Sequence, residues 1–283
     1  MKKQIWLGVT LLAAVVMALP AMAKAPTTAE IAAAANAQMQ AAASSQQSLV
    51  EQLCNAAKRG DVSRIRELLD TGRVNVEDTV GKNKWTPLIC AVDSTQYQAA
   101  KVLLEEYHAD PKAANKHGWT VLHYAVYPGM TELDKGGTLN ILGQAGAINM
   151  DNVRAKIGRI VDLILSQPGV KEDAEYLNQK VEGTALTALY AALWTANKIN
   201  YPELGQKLVD IPAIDVNMRS YHKWTPLSYA VNYGNEELVR ILLTRDDIDV
   251  EKPLPNGTTP LALAKERGAR GIVKMLKEKG ATR

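Results

Sequence analysis

A short motif decides the fold of this chain: residues 86–92 read TPLICAV. The motif returns four more times with the same frame. The copies are TVLHYAV at 120–126, TALYAA at 187–192, TPLSYAV at 225–231 and TPLALA at 259–264. Their opening threonines are spaced by 34, 67, 38 and 34 residues, so the 283-residue chain is built from a repeat with one long interval.

A second, apolar signature follows most copies. It reads AKVLL at 100–104, IVDLIL at 160–165, LVRILL at 238–243 and IVKML at 272–276, and an earlier unit has LCNAAKRGD at 53–61 followed by IRELL at 65–69. Each unit predicts two helices, because threonine caps the first, proline suits its first turn, and an apolar stripe marks the second. One helix pair cannot bury both of its apolar faces, so we expect the copies to stack.

Through these motifs and a period near 33 residues, the chain resembles the ankyrin repeat family over residues 49–283. The resemblance implies an all-α ankyrin-repeat solenoid of about six helix-turn-helix repeats with β-hairpin fingers. It also implies a protein-binding scaffold rather than an enzyme. The predicted repeats start near Val50, Gly81, Asn115, Gly183, Tyr221 and Asn256.

The long interval departs from the family pattern. The surplus between residues 129 and 187 amounts to about one repeat, so a degenerate repeat is one interpretation. Because the surplus is split unevenly, we favour one large insertion at about 130–158. Its stretch 134–146 is rich in glycine and polar residues, which is typical of a protruding loop.

The first residues predict an export signal. Residues 1–4 are basic, residues 5–19 are apolar, and Ala21 and Ala23 supply the small side chains that a signal peptidase needs. That apolar run falls short of the roughly 20 residues that span a bilayer. We expect a signal peptide over 1–23, a periplasmic product (secretion is the alternative) and no membrane span after cleavage. Residues 24–48, rich in Ala and Gln, predict an N-terminal helix or a tether.

Composition and motifs exclude several functions. Lys and Arg number 33 against 30 Asp and Glu, and two of the lysines lie in the predicted signal, so the mature chain is close to neutral. That balance argues against a nucleic-acid partner. The sequence has no G-x-S-x-G, H-E-x-x-H, P-loop or dinucleotide glycine motif, and its four histidines are scattered. We expect no catalytic residue, no metal and no cofactor; His123 matches a family histidine that bonds locally.

Cys54 and Cys90 fall on the first helices of adjacent repeats. An oxidising periplasm favours a disulfide between two such cysteines. A disulfide needs Cα atoms within about 7 Å, however, and adjacent helices stand roughly 8–10 Å apart. The sequence leaves two interpretations open, a disulfide and a pair of buried free thiols.

Tryptophan gives the sharpest functional signal. Trp85, Trp119 and Trp224 each precede the threonine that opens a first helix, and the ankyrin resemblance implies that this position ends a finger and faces the concave groove. Trp194 lies near the end of a first helix, and Trp and Tyr dominate binding hot spots. We expect the groove to bind the partner. The candidate partner-binding residues are Trp85, His117, Trp119, Tyr127, Trp194, Tyr221, His222, Trp224 and Tyr233.

The resemblance and the export signal together give one expectation about function. We expect a periplasmic scaffold, monomeric when free, that grips a folded periplasmic or envelope enzyme. An inhibitor or immunity protein that neutralises a peptidoglycan hydrolase, a peptidase or a phospholipase fits best. The alternatives are an accessory protein for an envelope or redox enzyme such as a catalase, and an exported effector directed at host proteins.

Overall fold

The computed structural model describes residues 28–128, 149–220 and 222–282. The predicted signal peptide, residues 1–23, lies outside these ranges, and so does Tyr221. Thirteen helices lie within them. In chain order they are α1 Thr28–Arg59, α2 Val62–Asp70, α3 Pro87–Asp93, α4 Tyr97–Glu105, α5 Val121–Val126, α6 Met150–Leu165, α7 Ala174–Leu177, α8 Ala188–Ile199, α9 Pro202–Val209, α10 Pro226–Asn232, α11 Glu236–Leu243, α12 Pro260–Glu266 and α13 Arg270–Glu278.

Six helix pairs stack along the chain: α1 with α2, α3 with α4, α5 with α6, α8 with α9, α10 with α11, and α12 with α13. The first helices of successive pairs pack on one another and form an inner layer. Second helices form an outer layer in which α2 packs on α4, α4 on α6, α9 on α11 and α11 on α13. The predicted all-α stack is confirmed.

The repeated motif explains why each inner helix begins where it does. The side chain of Thr86 accepts a hydrogen bond from the backbone N–H of Ile89, and Thr225 does the same for Ser228 at 3.1 Å. Equivalent caps are made by Thr120, Thr187 and Thr259. Such caps satisfy an N–H that the helix itself leaves unpaired. The motif leucines, Leu88, Leu122, Leu227 and Leu261, are all buried.

Fingers precede the inner helices, as expected, and within the described residues the two fingers before α3 and α5 are each closed by a single antiparallel bridge and not by strands. Val80 pairs with Trp85, and Ala114 pairs with Thr120. We call the finger turns finger 2 (80–85), finger 3 (114–119), finger 4 (180–186), finger 5 (219–224) and finger 6 (253–258), after the repeats they open.

Helix α1 crosses the predicted boundary at residue 48. It runs without a break from Thr28 to Arg59, so the Ala-rich segment continues directly into the first repeat. Its side chains are mostly exposed as far as residue 48, and burial begins at Val50. None of the helices in the described ranges is both long enough and apolar enough to cross a membrane.

The insertion is shorter than predicted at its C-terminal end. Asn149 caps helix α6, which begins at Met150, and Gly158 is buried inside that helix. The last residues of the predicted 130–158 insertion therefore belong to the outer helix of the third repeat, and residues 129–148 lie outside the described part of the chain. Downstream, the surplus before Thr187 contains α7, whose Tyr176 hydroxyl accepts a hydrogen bond from the Leu122 N–H at 3.1 Å.

Cys54 and Cys90 are joined by a disulfide that links α1 to α3. Their Cα atoms lie 5.6 Å apart, and both side chains are buried. The structure therefore selects the disulfide over the pair of free thiols.

Candidate partner-binding surface

Trp85 ends finger 2 but faces the core. Its N–H donates to the Val80 carbonyl at 3.0 Å, and its side chain is only 6% exposed. The ring packs edge-on against Tyr124 at 5.1 Å, and the Lys58 ammonium lies 5.2 Å from its centre. The expectation that Trp85 contacts a partner is corrected, because the neighbouring repeat covers its ring.

Trp119 and Trp224 are half-buried at the equivalent positions of fingers 3 and 5. The Trp119 ring stacks edge-on against His123 at 5.6 Å and lies 5.9 Å from Tyr124. Both tryptophans also pack against the hydrophobic core. Each of them therefore offers a partner only part of its indole ring.

A larger group of aromatic side chains, all partly exposed except Tyr229, lies on the inner helices and at their C-terminal ends. Trp194 of α8 packs edge-on against Tyr127 at 4.8 Å, and the Lys198 ammonium lies 5.6 Å from its ring centre. Further along the stack, Tyr229 of α10 lies 5.0 Å from Tyr190 and 4.7 Å from Tyr233. We call this set the aromatic row: Tyr127, Trp194, Tyr190, Tyr229 and Tyr233.

Exposure varies along the aromatic row. Tyr233 is 53% exposed, Tyr127, Trp194 and Tyr190 are half-buried, and Tyr229 is buried beneath its neighbours. Burial raises the pKa of the Tyr229 hydroxyl, and the nearby Tyr233 and Tyr190 add to that shift, so the group stays neutral. Sequence reasoning missed Tyr190 and Tyr229. The signal that could have identified them is their position in the motif, three and four residues after the capping threonine.

The predicted histidines lie at two finger tips. His117 and His222 are both exposed, in fingers 3 and 5. The ring Nδ1 of His117 lies 3.8 Å from the Glu182 carboxylate. In the described part of the chain, no cluster of three or more His, Cys, Asp or Glu side chains is arranged to hold a metal ion.

Comparison with known families decides what this stack is. The family model for ankyrin repeats, in three copies, matches residues 35–134 and 190–282. The chain belongs to the ankyrin repeat family. Ankyrin repeats bind proteins, so this chain is a protein-binding scaffold.

Two relatives share parts of this ankyrin sequence. The nuclear factor NF-kappa-B p105 subunit of Gallus gallus is 29% identical over 251 residues, 82% of this chain and 24% of that protein. The SMC5-SMC6 complex localization factor protein 1 of Homo sapiens is 38% identical over 74 residues, 26% of this chain and 7% of that protein. The chain thus spans about a quarter or less of the length of these curated relatives.

Three solved structures share the ankyrin fold. The ankyrin repeat domain of Bcl-3, a member of the IkappaB family, gives a TM-score of 0.59 at 22% identity and covers 82% of this chain and 86% of its own. An ankyrin repeat domain from Acinetobacter baumannii AYE gives 0.59 at 22% identity, covering 81% and 98%. An immunity protein in complex with a predatory endopeptidase from Bdellovibrio bacteriovorus gives 0.57 at 17% identity, covering 81% and 97%.

His123 has a structural role in the ankyrin frame. The Thr120 N–H donates to its Nδ1, so the ring proton is assigned to Nε2, which donates to the Leu186 carbonyl at 3.3 Å. The side chain is completely buried. Burial lowers the pKa of His123 to about 4, although the bond to Leu186 opposes the shift.

This buried imidazole predicts an acid-sensitive fold. The unfolded chain binds a proton at His123 near pH 6.5, whereas the folded chain binds it only near pH 4, so its contribution to stability is complete above pH 6.5 and is lost as the pH falls towards 4. We expect the free energy of unfolding to be about 2 kcal/mol lower at pH 5 than at pH 7 through this group. Urea titrations at both pH values measure the difference. In His123→Gln the difference should shrink by that amount, and an unchanged difference would contradict the assignment.

Proposed function

We propose that this ankyrin chain is a periplasmic inhibitor or immunity protein that occupies an envelope-acting enzyme with its concave face and has no catalytic activity of its own. The enzyme would be a peptidoglycan hydrolase, a peptidase or a phospholipase. The aromatic row on the inner helices is the observation that carries the proposal.

The aromatic row is suited to gripping a folded surface. Its rings are held edge-on or tilted against one another at 4.7–5.0 Å, so their positions are fixed before a partner arrives. A preorganised side chain loses little conformational freedom on binding, which leaves more of the contact energy as affinity. Trp and Tyr also present a large apolar face with a polar edge, the combination found at interface hot spots.

The disulfide supports the exported location. Disulfides form and persist in oxidising compartments and are rare where thiols are kept reduced. The Cys54–Cys90 bond is fully enclosed in the first two repeats and fits a chain that folds in the periplasm. The basic and apolar character of residues 1–19 favours the same route.

The inhibitory role has its support in a structural likeness. An immunity protein with the same fold was solved in complex with an endopeptidase. We place the enzyme against the inner helices of the ankyrin stack because the aromatic row lies there.

Deleting the gene and adding the protein back tests this function. Envelope extracts of cells lacking the gene should hydrolyse peptidoglycan or phospholipid faster than extracts of the parent. The purified protein, expressed from the full-length sequence and processed by the cell, should restore the parental rate at a stoichiometric dose. A lower rate in the deletion strain would indicate an accessory protein instead, and rates that respond neither to deletion nor to addition would exclude inhibition.

Trp194→Ala is the variant that addresses the binding face. Trp194 is half-buried and packs on Tyr127, so truncation removes a preorganised ring from the middle of the stack. We expect the inhibition constant to rise at least thirtyfold, about 2 kcal/mol, with a small change in melting temperature.

Lys101→Ala on the outer helix α4 is the matched control for Trp194→Ala. Its ammonium makes only a 3.8 Å pair with Glu105, so inhibition should not change. If Trp194→Ala lowers the melting temperature like a core substitution and leaves inhibition intact, the aromatic row is structural.

A further inference from the structure

The finger tips carry a row of cations that the aromatic row does not include. The turns of fingers 2 to 5 contain six basic side chains and a single carboxylate, that of Glu182. Arg219 is half-buried, and the other five cations are exposed. We call this set the basic ridge: Lys82, Lys84, Lys116, Lys180, Arg219 and Lys223.

The ridge cations have no carboxylate partners in the described ranges, where no salt bridge involves any of the six. Other cations of the same chain do pair: Arg66 with Glu106 at 2.6 Å and Lys112 with Asp173 at 2.8 Å. Like charges gathered without counter-charges repel one another and disfavour the compact state. The five lysines of the ridge therefore gain no ion-pair energy within the fold, whereas Arg219 also donates hydrogen bonds to backbone carbonyls.

Hydrogen bonds between neighbouring fingers hold the ridge in place. The Lys116 N–H of finger 3 donates to the Asn83 carbonyl of finger 2 at 3.1 Å, and the Glu182 N–H of finger 4 donates to the His117 carbonyl at 2.9 Å. Arg219 of finger 5 donates to the Pro253 carbonyl of finger 6 at 2.6 Å. Four turns at a repeat spacing of roughly 10 Å give a fixed row about 30 Å long.

Two of the lysines stand where the backbone favours glycine. The residue two places before each capping threonine has a left-handed conformation, and in fingers 3 and 6 it is Gly118 (φ +79°) and Gly257 (φ +85°). Fingers 2 and 5 place Lys84 (φ 54°) and Lys223 (φ 61°) there instead. Finger 4 places Ala185 (φ 50°) at the same position, so the left-handed conformation is a property of the finger turn. An L-residue with a side chain is strained there, and glycine would relieve that strain.

The C-terminal end of the ridge forms an open cleft between fingers 4 and 5. The cleft measures about 590 Å³ and is lined by Lys180, Ala185, Arg219, Ser220 and Lys223. Three of its five lining side chains are cationic and none is acidic. A carboxylate entering this cleft would meet charged donors on both sides.

We propose that the basic ridge docks an acidic face of the partner protein, with one carboxylate side chain of that partner in the cleft between fingers 4 and 5. The inference rests on the proposed function in taking the partner to be a folded protein. A folded partner fits better than a nucleic acid for two reasons. The chain as a whole is close to neutral, and the ridge is a single line of cations, with one finger turn from each repeat. The half-buried Trp119 and Trp224 at the bases of fingers 3 and 5 add apolar contact area beside the charges.

Replacing the strained lysines by glycine tests the ridge without harming the fold. The probe is a fluorescent 20-residue poly-L-glutamate peptide, titrated by anisotropy into the cell-processed full-length protein at 20 mM salt. Wild type should bind saturably and lose at least tenfold in affinity at 200 mM salt, because exposed charges are screened. The Lys84→Gly/Lys223→Gly variant should bind at least tenfold more weakly, with a melting temperature equal to or above that of wild type.

The matched control removes two cations from outer helices. Lys101→Gln/Lys274→Gln lowers the net charge equally but should change affinity for the peptide less than twofold. If both variants lose affinity equally, binding follows net charge and the ridge is excluded. Absence of saturable binding to the peptide also overturns the proposal. Tighter binding of a 20-nucleotide single-stranded DNA or of phosphatidylglycerol vesicles overturns it too, because the ridge would then bind a nucleic acid or a membrane rather than a protein.

This titration and the inhibition assay fail independently. If the protein binds the peptide through the ridge but inhibits no envelope enzyme, the ridge proposal stands and the proposed function is wrong. If the Lys84→Gly/Lys223→Gly variant inhibits an enzyme as strongly as wild type does, the proposed function stands and the ridge proposal is wrong.

Discussion

Removing the Cys54–Cys90 disulfide is expected to lower the free energy of unfolding by about 3–4 kcal/mol. The bond closes a loop with a sequence separation of 36 residues, and opening that loop increases the conformational freedom of the unfolded chain. Cys54→Ala/Cys90→Ala is the suitable variant, because serine would bury two hydroxyls at a site with 3% and 0% exposure. Urea unfolding of wild type, with and without a phosphine reductant, and of the variant measures the change.

The loss should be concentrated at the N-terminal end of the stack. Each repeat contacts only its neighbours, so local stability varies along a solenoid. Hydrogen exchange should quicken in α1 beyond Val50 and in α2, and change little in α12 and α13. The reductant should have no effect on the double alanine variant. A wild-type midpoint that is unchanged by reductant, once free thiols have been detected, would contradict the predicted contribution.

The sequence alone did not decide between a disulfide and free thiols, because the distance between two helix axes is larger than the distance between the Cα atoms that face each other. Helix axes stand roughly 8–10 Å apart, but each Cα lies about 2.3 Å from its own axis. Two Cα atoms that face each other across an interface therefore approach to about 3.4–5.4 Å, within reach of a disulfide. The 5.6 Å between Cys54 and Cys90 agrees with this correction. Buried small side chains beside them, Ala57 and Ala91, favour the close approach.

The repeat frame could be predicted well because its determinants are local. A threonine that caps a helix bonds to a residue three positions later, and the five motif threonines all do so. The continuity of α1 across residue 48 and the start of α6 before residue 158 could not be predicted in the same way. An Ala-rich segment and the amphipathic start of α6 are both good helix formers, so neither marks where a helix meets the repeat.

The binding surface was only partly predictable, since exposure depends on the neighbouring repeat. Trp85 and Trp119 occupy the same position in the motif, yet Trp85 is buried under Tyr124 while Trp119 is half-buried. What decides between them is the side chain that the next inner helix contributes. The motif of a single repeat therefore predicts where a residue's backbone lies in the repeat, but it does not predict which aromatic rings reach the surface. Tyr190 and Tyr229 were missed for the same reason.

Leu227→Ala is expected to lower the free energy of unfolding by about 4 kcal/mol, near the upper end of the range for such truncations. Leu227 is 0% exposed and belongs to α10, which has a packed inner helix on each side, α8 and α12. Neighbours held from both sides cannot collapse into the cavity, so the lost transfer energy and the cavity cost add. Leu261→Ala is the matched comparison: it removes the same atoms from α12, which in the described chain packs on one inner helix only. This variant should cost about 2 kcal/mol, because a helix that is packed on one side relaxes more freely around a cavity. Thermal melts and urea titrations of both variants show which of them loses more free energy of unfolding. Equal losses would mean that the sixth repeat is as rigid as the fifth, and an unchanged melting temperature for Leu227→Ala would contradict the repeat frame at α10.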